Sequence, residues 1–145
     1  DLEWWIGHED MAYGLNMGIS AGLWDDAEAA LRFAFRCMAG GGRYGFTQRE
    51  GVFEVWTGAL LRLNRIHARL GSIDGERTLL PDGRGVLWRR ADGSRLLFAF
   101  SSFEWPVPET AGIMEVGPDG MGTVTSTGHS LAARPWTVYR IAPDA

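Results

Sequence analysis

Gly85-Val86-Leu87-Trp88-Arg89-Arg90-Ala91-Asp92-Gly93-Ser94-Arg95-Leu96-Leu97-Phe98-Ala99-Phe100 is two apolar runs hinged on an Asp-Gly pair. Asp-Gly is a strong short-range signal for a hairpin, because glycine enters positive φ without a Cβ clash. Gly85 to Arg90 and Ser94 to Phe103 therefore pair around Asp92-Gly93. On the second strand Leu96, Phe98 and Phe100 point one way and Leu97 and Ala99 the other.

Working outward, the same punctuation recurs. Pro81-Asp82-Gly83 and Pro118-Asp119-Gly120 are turns in which proline presets one torsion and glycine accepts another. Further strands are expected at Ile113 to Val116, Met121 to Ser126 and Trp136 to Ile141. Pro106 and Pro108 take Glu104 to Pro108 out of regular pairing, as an edge or a loop. Short strands at this spacing predict a small β-sandwich or Greek-key unit from residue 72 to 145.

Ahead of Gly71 the period changes to that of helices. Asp25 with Glu28 is a capping-box-like start for a helix over 25–39. Ala27, Ala30, Leu31, Ala34, Phe35 and Met38 form its apolar face. Phe33 and Cys37 extend that surface to a further side, and Gly40-Gly41-Gly42 is the stop. A short strand is expected at Arg43-Tyr44-Gly45-Phe46-Thr47. A second helix over 52–70 buries Val52, Trp56, Ala59, Leu60, Leu63, Ile66 and Leu70, leaving Arg62, Arg65 and Arg69 on a solvated stripe.

Upstream of both helices, Leu2-Glu3-Trp4-Trp5-Ile6-Gly7-His8-Glu9-Asp10 is an apolar, strand-like run that stops at three ionisable residues. Barrel enzymes present binding and catalytic groups at strand ends in this way. The stretch begins at residue 2, so the strands that would flank it are expected outside this sequence. The chain is accordingly read as α+β, with an N-terminal helical and short-strand portion over 1–71 followed by an antiparallel β-sandwich over 72–145.

Composition sets the outer limits. The 145 residues, 46% hydrophobic with 7 Trp and 7 Phe, supply core for one domain or two small units. No apolar run reaches the roughly 20 residues of a membrane helix. A net charge of −4 with scattered basic residues, all 14 of them Arg, argues against a nucleic-acid surface. Cys37 is the single cysteine and excludes an internal disulfide. The chain opens at Asp1 without a signal-peptide pattern, so targeting information is expected to be absent or removed, and the compartment stays open.

The order of these segments resembles the C-terminal end of the α-amylase family of glycoside hydrolases. Trp5-Ile6-Gly7-His8-Glu9-Asp10 looks like that family's Asn-His-Asp motif on the seventh barrel strand, with Gly7 in place of Asn. Tyr44-Gly45-Phe46-Thr47-Gln48-Arg49-Glu50 stands where the family has a Tyr-Gly-x-Glu type of sequence. Leu60-Leu61-Arg62-Leu63-Asn64-Arg65-Ile66-His67-Ala68-Arg69-Leu70 resembles its Leu-x-x-Leu-Arg-x-x-His-x-x-Leu helix. Leu79 to Arg90 resembles the opening hairpin of its C-terminal domain, Leu96 to Ser101 the next strand, and Arg134 to Arg140 the closing one.

The resemblance implies that residues 1–71 are the end of a β/α barrel, with two helices and two short strands, and that 72–145 are the C-terminal sandwich. It implies an α-glucosidic carbohydrate substrate, with hydrolysis or transfer both open. His8 would bind sugar hydroxyls and Asp10, or Glu9 in the alternative register, would stabilise charge in the transition state. Trp5 or Trp4 would stack on a sugar ring, since adjacent strand residues face opposite sides. Glycoside cleavage needs paired carboxylates, which the family carries on earlier barrel strands. The segment is therefore expected to be non-catalytic alone, and its partner to be the remaining barrel, in the same or another chain.

Two other readings compete. One is a non-catalytic carbohydrate-binding or protein-interaction β module, contacting its ligand through exposed aromatics among Trp88, Trp105 and Trp136. The other is a melibiase-like barrel glycosidase, which also ends in a helix and a β-sandwich. No cofactor and no metal are expected. Asp25 and Asp26 are helix-start residues, Gly40 to Gly42 lacks the Lys-Ser/Thr of a phosphate loop, and no His/Cys spacing suits zinc. His67 is expected to pack or cap. His129 and Ser130 fall in an expected loop, with no acid placed beside them by sequence.

Overall fold

The computed structural model describes residues 27–41 and 53–143. The strand-like run at 2–10, the helix start at Asp25 and Asp26, and the expected strand at Arg43 to Thr47 lie outside the described residues. The chain divides into two compact units, Asp1–His67 and Ala68–Ala145. The described structure is an α+β arrangement: two helices and mostly antiparallel sheet.

In the first unit, helix α1 spans Ala27–Ala39. Ala34, Phe35, Cys37, Met38 and Ala39 are buried, so the apolar face is broad, as the added Cys37 suggested. The helix ends through hydrogen bonds donated by the Gly40 amide to the Arg36 carbonyl and by the Gly41 amide to the Met38 carbonyl, with Gly41 at φ 79°. On the exposed side Glu28 pairs with Arg32 one turn later, an arrangement worth only about 0.3–0.5 kcal/mol.

Helix α2 spans Phe53–Leu70 and stops at Gly71, whose φ is 69°. Leu63 and Leu70 are buried, Ile66 is half-buried, and Arg62 and Arg65 are exposed, as expected, but Arg69 is half-buried rather than on a solvated stripe. The side chains of Val52, Trp56, Ala59 and Leu60 lie outside the described residues. His67 is exposed, which corrects the packing half of the expectation that it packs or caps.

The second unit is built from eight strands in chain order: β1 Glu76–Leu79, β2 Gly85–Arg89, β3 Arg95–Ala99, β4 Phe103–Pro106, β5 Ile113–Val116, β6 Met121–Val124, β7 Ser130–Ala133 and β8 Thr137–Ile141. Six form one sheet in the order β1-β2-β3-β8-β5-β6; β4 and β7 form a separate pair. Every pairing is antiparallel. The last strand lies inside the sheet, between β3 and β5, rather than at its edge.

The hairpin around Asp92-Gly93 forms with Val86 opposite Phe98 and Trp88 opposite Leu96. Gly93 has φ 83°. Gly85 is needed for a different reason: a Cβ there would lie 2.3 Å from the Phe98 carbonyl oxygen across the ladder. Strand β3 stops at Ala99, earlier than the expected Phe103, because Phe103 starts β4 in the other sheet. Glu104 to Pro106 is thus paired strand rather than loop. Each strand of a two-stranded sheet has a free edge, so Pro106 at the end of β4 removes a donor that the ladder can lack.

Val86, Phe98 and Val138 align on one face of the six-stranded sheet, and Leu87, Leu97 and Tyr139 on the other. All six are buried. Continuous apolar runs are what strands look like when neither face meets water. The Leu87-Leu97-Tyr139 face belongs to a core cluster with Leu80, Ala99, Val107, Ile113, Leu131, Ala133 and Ile141, against which Phe103 and Trp105 pack. That cluster joins residues of both sheets. Tyr139 keeps its hydroxyl satisfied there by accepting the Arg134 amide at 3.0 Å.

Within the second unit, which begins at Ala68, two arginines fasten the end of α2. The Arg90 guanidinium donates to the Leu70 carbonyl at 2.9 Å, a carbonyl without a partner inside the helix, and to Ser72 O at 3.4 Å. Its Nε donates to Ser94 Oγ, while Ser94, fully buried, donates through its amide and hydroxyl to Asp92. Arg69 donates to the Pro118 carbonyl in the β5–β6 turn. Replacing Arg90 by Ala should lower stability by about 1–3 kcal/mol in chemical denaturation, since it removes the donor to a helix-end carbonyl and one of the two side-chain partners of the Ser94 hydroxyl. Arg90→Lys should recover part of that loss. A midpoint for Arg90→Ala equal to wild type would show the network contributes nothing.

Candidate functional site

The residues singled out for chemistry, Trp5, His8, Glu9 and Asp10, lie outside the described residues, as do Trp4 and Tyr44 to Glu50. What the structure does place is the set of aromatic and ionisable side chains on the antiparallel unit.

The aromatics sort by the strands that carry them. Trp88 sits mid-strand in β2 and is 7% exposed, with the Arg77 guanidinium 5.6 Å from its ring. It is a core residue, which removes it from the exposed tryptophans expected to meet a ligand. Trp105 is half-buried on β4 because the inward positions of that strand are Phe103 and Trp105, alternating with exposed Glu104 and Pro106. The two rings meet edge to face at 6.4 Å. Arg84 lies over Phe103 at 5.1 Å, held there by the tight turn that separates β1 from β2.

Trp136 is the unusual one. It occupies φ 56° just ahead of β8, in the left-handed region that a bulky residue enters at a cost of about 1–2 kcal/mol. Its ring stacks on Phe100 at 5.8 Å and 30°, a contact worth about 0.5–1.5 kcal/mol beyond area burial. The stack offsets much of the backbone strain. Asp82 and His129 also have positive φ, at 59° and 62°, but in tight turns where short polar or ring side chains tolerate it better.

Two buried nitrogens among the described residues have no hydrogen-bond partner: Arg84 Nε and Trp105 Nε1. Both belong to side chains packed on the Phe103 ring, whose π-face is a weak acceptor at best.

Ser130 and His129 are placed differently from expectation. Ser130 opens β7 instead of lying in a loop, and its hydroxyl donates to Glu104 on the facing strand. His129 Nε2 lies 3.9 Å from another carboxylate, that of Glu109. The acid beside Ser130 comes from 26 positions earlier through the β4–β7 ladder, and β4 had been expected to leave regular pairing. A hydrolytic relay needs the nucleophile bonded to its base and the base oriented by a third group. Here serine and histidine each face their own carboxylate, on an exposed surface, so the pair does not form that chain.

The remaining ionisable groups are similarly local. Asp92 is held below the usual carboxylate range by the Ser94 hydroxyl and amide that donate to it. Arg134 pairs with Glu115 at 2.5 Å. Burial pushes the Cys37 thiol up to about 12, against a smaller opposing effect from a backbone hydrogen bond. Among the described residues no three His, Cys, Asp or Glu side chains gather as metal ligands. Nor is any helix among them long and apolar enough to cross a membrane.

With this geometry in hand, comparison with protein-family models, with curated proteins and with solved structures finds no match to the chain.

Two outcomes test the placement of these groups. At position 136 glycine relieves the φ strain and alanine does not, while both lose the stack. Trp136→Gly should therefore be more stable than Trp136→Ala by about 1–2 kcal/mol in urea melts. Equal melts would mean the left-handed conformation is absent in solution. Cys37, neutral and buried, should resist a thiol-specific reagent at pH 8 until the protein is unfolded. Rapid labelling of the native protein would contradict its burial.

Proposed function

We propose that this chain is the C-terminal segment of a glycosidase or transglycosidase acting on α-glucosidic carbohydrate, and that it is not catalytic alone. One observation supports this above others: the order of elements. A helix carrying Leu60 to Leu70 is followed by an antiparallel unit that opens with the Leu79 to Arg90 segment, continues with β3, and ends in β8. That is the order implied by the resemblance to the α-amylase family.

In this reading the two antiparallel sheets, which share one core cluster, are the C-terminal β-sandwich. Residues 1–71 are the end of a β/α barrel, with Trp5 and His8 toward the sugar and Asp10 or Glu9 stabilising the developing positive charge. The nucleophile and the acid of a double displacement come from earlier strands of that barrel. The sandwich from residue 72 onward contributes stability and takes no part in bond cleavage.

The test compares the chain with the longer polypeptide that would carry those strands. The 145-residue chain should release no reducing sugar from maltodextrin, while the longer polypeptide should. His8→Ala in the longer form should lower turnover by roughly 10²–10³-fold, the range for losing one preorganised polar contact to the reacting sugar. A longer polypeptide inert toward every α-glucan, or unaffected by His8→Ala, ends this reading. A melibiase-like barrel would instead cleave α-galactosides.

A second reading rests on the strained, half-buried Trp136: a carbohydrate-binding module with an aromatic platform. Titrating oligosaccharides while following tryptophan emission separates the two. The first reading expects no change that Trp136→Phe abolishes; the second expects a saturable change that it does abolish.

A further inference from the structure

We draw no further inference here: the strongest candidate, the Arg84–Phe103–Trp105 row of the antiparallel unit with its two unpartnered nitrogens, carries nothing because both nitrogens are closed off from a water-sized molecule and no ligand could meet them as they stand.

Discussion

Strands β2, β3 and β8 are buried on both faces, and much of the second unit's organisation follows from that constraint. A backbone withdrawn from water must satisfy its amides and carbonyls within the protein. Central strands do so on both edges, and the six-stranded order gives each of the three a neighbour on either side. The apolar runs at Val86 to Trp88 and Leu96 to Phe100 could not serve as edge strands without exposing unpaired donors beside apolar side chains. The chain's final strand therefore lies between β3 and β5, and shorter, more polar segments are left for the edges. β1 and β6 are those edges, and their side chains are mostly exposed.

Burial of the central ladder also explains why the polar groups near it form closed sets. Ser94 is the buried polar residue of the described structure, and it is bonded to Arg90 on one side and Asp92 on the other. Leaving one of these groups unpaired would cost about 1–3 kcal/mol, comparable to a sizeable part of a small domain's total stability. Arg90 extends the set to the helix end, where a free carbonyl needs a donor and a positive charge suits the helix dipole. One guanidinium thus serves a turn, a buried hydroxyl and a helix terminus.

The sequence made some of this legible. Asp92-Gly93 locates the central hairpin because the turn chemistry is local, and the glycine stops at Gly40 and Gly71 locate the helix ends for the same reason. β1 and β7 were not foreseen. Glu-Arg-Thr-Leu and Ser-Leu-Ala-Ala have little β-branched or aromatic content, and they become strands through the partners they meet, Arg89 back to Val86 and Ala133 opposite Phe103. Trp88 was misjudged for a related reason. Alternation assigns a residue to one face or the other, but only the full sheet shows that both faces of β2 are dry. The Ser130–Glu104 contact likewise depends on a pairing across the chain, which no window of sequence contains.

The described ionisable groups bear on the functional reading through their partners. Asp92 is occupied with Ser94, Glu115 with Arg134, and Glu104 with Ser130; the first pair lies in a hairpin turn, the second ties β5 to the β7–β8 connection and the third links β4 to β7. General acid–base chemistry calls for a group whose affinity for protons is tuned toward the working pH. Asp92 is displaced the other way, held below the usual carboxylate range by the Ser94 hydroxyl and amide that donate to it, as suits a hairpin anchor. Cys37 is displaced in the direction that suppresses its nucleophilicity. These placements suit side chains that hold an antiparallel scaffold in shape.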